Sequence, residues 1–146
     1  MAFIQQVIHD ILFVHPIHTL IVHFPIALTG SALFFIILAL WRRSTILEQV
    51  AFANISLATV STLVAGLAGL LDNARFYTGQ APNHVAKIIL AFTLLVVTTL
   101  TAIFRWRNKD LFRAGAGRTL YIAAYFVSFA LATVLAFLGG VILYGF

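Results

Sequence analysis

The chain has 146 residues, 62% of them apolar and 9% charged, with a mean hydropathy of +1.06. Soluble domains carry roughly 45–50% apolar and 25% charged residues, and so small a core could not hide the excess, so the composition excludes a soluble fold and indicates an integral membrane protein. The absence of cysteine excludes disulfides, iron–sulfur clusters and thiolate metal sites supplied by this chain, and the net charge of +5 comes from basic residues flanking apolar stretches, which argues against nucleic acid as a partner.

No Lys or Arg precedes Arg42, and no twin-arginine or lipidation motif opens the chain, so the mature protein is expected to begin near Met1. Ile4, Val7, Ile8, Ile11 and Leu12 recur at helical spacing, while Gln5, Gln6, His9 and Asp10 fall elsewhere. This pattern predicts an amphipathic helix over about 2–14, lying in the membrane interface.

Four apolar stretches follow, each long enough to cross a bilayer, which takes about 20 residues. The spans are expected over about 17–41, 47–71, 83–105 and 118–145, making an all-α four-helix bundle in a single membrane domain. Lys87 sits close enough to the start of the third span to snorkel toward headgroups. In the fourth, Ala124, Ser128, Ala132, Ala136 and Gly140 form a ridge at four-residue intervals. Ala58, Thr62 and Gly66 make a shorter ridge in the second, and small residues at this spacing let helix backbones approach closely. Phenylalanine is abundant, at 14 residues, and is read as core or lipid contact.

The connections after the first and third spans carry seven basic residues, Arg42, Arg43, Arg105, Arg107, Lys109, Arg113 and Arg118, against Arg75 and Lys87 on the other side. The excess places those connections in the cytoplasm and both termini on the exoplasmic side. A bacterial inner membrane is the expected location.

On this orientation His15, His18, His23, Asp72 and His84 gather near the exoplasmic end. Ionisable groups at membrane depth are costly, which makes this cluster the candidate site. Pro16 suits the first turn of a helix, whereas Pro25 lies inside one, where its missing N–H leaves the Ile21 carbonyl unpartnered and bends the chain. At 100° per residue His23 points about 140° from His18, and neither His15 nor His23 stands four residues from His18, so this helix alone is not expected to close a metal site. His84, after Ala81-Pro82-Asn83, opens the third span and supplies an imidazole from across the bundle. His18 or His23 facing His84 could hold a haem iron from both sides, with the porphyrin between helices. The plainer reading is a histidine hydrogen-bonded to a carbonyl such as the one Pro25 frees. Asp72, beside a helix C-terminus, either pairs with Arg75 or fixes the tautomer of a histidine ring.

The run from His15 to Leu28, His-Pro-Ile-His-Thr-Leu-Ile-Val-His-Phe-Pro-Ile-Ala-Leu, resembles the signature of a bacterial family of four-helix membrane proteins of unknown function. The family is catalogued as "predicted membrane protein", and some members are fused to Rieske-type ferredoxin domains. Gly69-Leu70-Leu71-Asp72 and His84 match further parts of its pattern. The resemblance implies that His15, His18, His23, Asp72 and His84 are its polar positions, and the fusions suggest electron transfer by association.

The sequence therefore predicts an electron-transfer membrane protein holding haem b, or a related tetrapyrrole, with His18, His23 and His84 as candidate iron ligands. Its redox partner would be another protein or a quinone. The alternative is a non-enzymatic accessory subunit of a respiratory or photosynthetic membrane complex, and a third reading is a proton or metal transporter using the histidines. No Ser-His-Asp arrangement, phosphate-binding glycine loop or paired intramembrane carboxylates point to classical catalysis, so whether the chain is an enzyme stays open.

Overall fold

A computed structural model describes residues 3–5, 17–113 and 117–144, with side chains as far as Val141. Residues 3–5 are helical, and the rest of the expected interfacial helix, with His15, lies outside the described residues. The described chain is all α, in the order α1 (Ile17–Ile21), α2 (His23–Arg42), α3 (Thr45–Phe76), α4 (His84–Arg107) and α5 (Arg118–Tyr144). Helices α1 and α2 together form the first of four segments long and apolar enough to cross a membrane.

The break between α1 and α2 falls at Val22, one turn before Pro25. Without an N–H on Pro25, the Ile21 carbonyl has no helical partner, and the next bond, Ile26 N–H to the Val22 carbonyl, is stretched to 3.5 Å. Thr29, buried one turn on, satisfies its own hydroxyl by donating it to the Pro25 carbonyl at 2.7 Å. At the far end of α2, Arg43 takes a left-handed conformation (φ 50°) and its N–H returns to the Ala39 carbonyl. Ser44 then caps α3, its side chain accepting from the Leu47 N–H at 3.4 Å. The chain thus reverses in a few residues, making α2 and α3 antiparallel neighbours.

Helix α3 continues to Phe76, beyond the Leu71 expected from the uncharged stretch. Its last turns carry Asp72 and Asn73 past the apolar span. Asn73 organises the next connection, its carbonyl accepting from the Tyr77 and Gly79 N–H groups and its side chain from the Ala81 N–H at 2.9 Å.

Each helix packs on its sequence neighbours, and α5 closes the ring against α2. The buried positions recur three and four residues apart: Pro25, Thr29, Ala32, Ile36 and Ala39 on α2, Ala51, Ile55, Ala58, Thr62 and Ala65 on α3. On α4 the stripe is Leu94, Thr98, Thr101 and Arg105; on α5 it is Tyr121, Tyr125, Ser128 and Ala132. Ser128 and Ala132 of the small-residue ridge are buried, so that ridge faces the bundle interior. Large apolar side chains such as Phe34, Leu57, Phe92, Leu100 and Phe137 lie on the outer surface, as lipid contact requires. Trp41 and Trp106 are exposed beside Arg42, Arg43 and Arg107, the composition of a membrane–water boundary.

Buried hydroxyls are mostly satisfied by the carbonyl four residues earlier, as in Thr98 to Leu94 and Ser128 to Ala124. Thr62 is the exception: its Oγ1 is buried with no partner among the described residues, and the Ala58 carbonyl accepts from Ser61 at 3.1 Å. Replacing both the orphan and its desolvation cost with a methyl group removes a penalty of about 1–3 kcal/mol. Thr62→Val is therefore expected to match or exceed the parent in thermal midpoint in detergent; a clear drop would mean that Thr62 has a partner.

Candidate functional site

The bundle has two polar ends. At the end where α1 begins, Asp72 and His18 meet. His18 is the second residue of α1, where backbone N–H groups have no helical acceptor, and its N–H donates to Asp72 Oδ2 at 2.8 Å. A carboxylate is unfavourable near the C-terminus of its own helix, but here it lies against the N-terminus of another, where the macrodipole favours negative charge. Asp72 thus caps α1 across the helix–helix contact and accepts from the His18 backbone instead of from a ring.

The His18 ring turns to α3. Its Nδ1 lies 2.9 Å from the Ala65 carbonyl, which can only accept, so Nδ1 carries the proton. Nε2 is then the lone-pair nitrogen, and no hydrogen bond among the described residues engages it. The ring rests on Gly69, where an added Cβ would come within 2.9 Å of Cε1 and 3.0 Å of Nδ1. The charges of Asp72 and Lys87 both act on this half-buried imidazole.

The other expected ligands are placed differently. His23 sits at the break before α2 and is exposed, its Nδ1 3.3 Å from the Leu20 carbonyl, so the structure does not bring it to His18. The rotation between the two positions and the bend at Pro25 account for that separation. His84 opens α4 half-buried, its Nδ1 2.8 Å from the Ala81 carbonyl, again leaving Nε2 as the lone-pair nitrogen. Among the described residues no group of three or more His, Asp or Glu side chains is arranged to hold a metal ion.

The opposite end holds a cluster that sequence reasoning missed. Glu48, in the first turn of α3, is buried and receives a bidentate fork from Arg105 in the last turn of α4, Nε to Oε1 at 2.6 Å and Nη2 to Oε2 at 2.9 Å. The Tyr121 hydroxyl also donates to Oε1 at 2.6 Å. Since that uses its one proton, Tyr125 donates to the Tyr121 oxygen at 2.7 Å. The Arg105 guanidinium lies over the Phe52 ring, and Leu111 and Phe112 of the α4–α5 connection are buried in the same core. Arg105 is therefore a bundle residue and not the loop charge counted for orientation. The missed signal is helical phase: Glu48 shares the buried stripe of Ala51, Ile55 and Ala58, and Arg105 that of Thr98 and Thr101.

The two ends differ in chemical capacity. Glu48 accepts from three donors, two of them from the Arg105 fork and one from Tyr121, so this end is a staple joining α3, α4 and α5. The histidine end offers two imidazoles oriented by backbone carbonyls, each with a ring nitrogen that no hydrogen bond among the described residues engages.

The family described as "Predicted membrane protein (DUF2231)" matches residues 14–146. The chain belongs to this family. No curated protein and no solved structure matches it. The DUF2231 match begins just before His15 and takes in α1 to α5, so both polar ends fall within the family's extent.

Proposed function

We propose that this chain is a membrane electron-transfer protein that binds a b-type haem, or a related tetrapyrrole, at its histidine end, where His18 and His84 would hold the iron. The observation that carries the reading is the His18 imidazole, tied through Nδ1 to the Ala65 carbonyl with its backbone held by Asp72. Ligating histidines are oriented in this way, the second ring nitrogen donating to a carbonyl or carboxylate. His84 is tied alike to Ala81. A haem would supply one-electron transfer near the membrane surface, to a partner protein or a quinone. Seven basic residues less the paired Arg105 leave six against two, so the charge bias still favours an exoplasmic histidine end in a bacterial inner membrane.

An absorbance spectrum of protein purified from haem-replete cells tests the reading. The expected result is a Soret band and an α band that sharpens on reduction with dithionite. Single His18→Ala and His84→Ala variants are expected to lose or shift both bands, while His23→Ala keeps them. A colourless protein that reconstitutes no haem overturns the proposal; colourless protein recovered in a stable complex would instead favour an accessory subunit.

A further inference from the structure

Along the first turns of α5 runs an open groove of about 450 Å³ lined by Arg118, Thr119, Ile122, Ala123 and Phe126. Its lining is graded along the helix. Arg118 and Thr119 stand at the start of α5, at the same end of the bundle as Arg42, Arg43, Arg107 and Arg113, whereas Ile122, Ala123 and Phe126 lie one to two turns deeper in the apolar span. The exposed Arg118 guanidinium sits 5.8 Å from the Phe112 ring centre. The start of α5 adds backbone N–H groups and the positive pole of a helix dipole beside that cation.

We infer that this groove binds one anionic phospholipid, the phosphate at Arg118 and Thr119 and an acyl chain along Ile122, Ala123 and Phe126. The polarity gradient matches the way a lipid stands in its leaflet, head outward and chain inward. Two sources of positive potential at the head position select an anion over a zwitterion, and a neutral quinone would leave both unmatched. A free phosphate would leave the apolar floor uncovered. Basic residues near a membrane surface attract anionic lipid by about 1 kcal/mol each as a diffuse effect; the groove adds a fixed stoichiometry and a defined chain path. This inference is independent of what the histidine end binds.

Native mass spectrometry of the detergent-purified protein, titrated with dioleoylphosphatidylglycerol or dioleoylphosphatidylcholine, tests it. The expected result is one retained phosphatidylglycerol, bound about tenfold more tightly than phosphatidylcholine, a difference of about 1.4 kcal/mol. Arg118→Gln is expected to abolish the headgroup preference, and Ala123→Trp, which fills the floor, to cut occupancy of both lipids. Arg113→Gln, an exposed charge outside the groove, should leave the preference within about twofold, since one diffuse surface charge contributes little. Equal retention of the two lipids, an Arg113→Gln loss matching that of Arg118→Gln, or displacement by inorganic phosphate or a neutral quinone analogue would each overturn the assignment. Variants are compared at matched thermal midpoints, and Arg118→Gln, a surface change, keeps the test decisive if Ala123→Trp does not fold.

Discussion

Arg105→Met is expected to lower the stability of the bundle by about 3–5 kcal/mol, because it leaves the Glu48 carboxylate buried without its bidentate partner. The lost thermal stability in detergent should exceed that of any single surface arginine, with Arg107→Met, two residues away on the outer face, as the exposed control. Glu48→Gln combined with Arg105→Met should recover most of the loss, since buried ion pairs are often replaced by uncharged groups at little cost while half-pairs are not. Tyr121→Phe sits between these, costing about 1–3 kcal/mol for a hydrogen bond to a charged acceptor and leaving Tyr125 without its acceptor. If Arg105→Met unfolds no earlier than Arg107→Met, the staple at this end contributes nothing to stability.

The contrast between what the residues revealed and what they concealed follows from two kinds of signal. Backbone chemistry was legible: Pro25 has no N–H, so an interruption one turn earlier follows directly, and the break at Val22 is where that argument puts it. Rotation per residue likewise separates His23 from His18, but it does not say which of the two faces the bundle; the structure leaves His23 exposed. Charge counting was a poorer guide, because it assigns a residue to a loop by position along the chain and ignores the face on which it lies. Arg105 was counted as a cytoplasmic charge, yet it falls in phase with the buried stripe of α4, as Glu48 does with that of α3. Asp72 and His18 were both recognisable, but their relation was not. An uncharged-stretch criterion ends the helix at Leu71, whereas α3 runs on to Phe76, and only that extension brings Asp72 alongside the unsatisfied N–H of His18. Gly69 stood in the resemblance without a reason; the His18 ring lying on its Cα supplies one.

Gly69→Ala and Gly66→Ala, neighbours on α3, are expected to move stability in opposite directions. In a helix interior Ala is favoured over Gly by about 1 kcal/mol, and an added Cβ at Gly66 meets nothing within 4 Å, so Gly66→Ala should be neutral or stabilising by up to that amount. At Gly69 the same methyl group would stand 2.9 Å from His18 Cε1 and 3.0 Å from Nδ1. The ring must then lift off α3, which breaks its bond to the Ala65 carbonyl and strains the Asp72 cap, at a cost of about 1–3 kcal/mol for overpacking. A thermal midpoint that falls for Gly69→Ala and holds or rises for Gly66→Ala is the expected pair of results. The spectroscopic consequence is sharper than the thermal one: a displaced His18 loses the carbonyl that orients Nε2, so any absorbance owed to His18 ligation should weaken or shift in Gly69→Ala and stay unchanged in Gly66→Ala. Should Gly69→Ala gain stability as an ordinary helical glycine would, the ring does not rest there, and the packing that ties His18 to Ala65 would have to be abandoned.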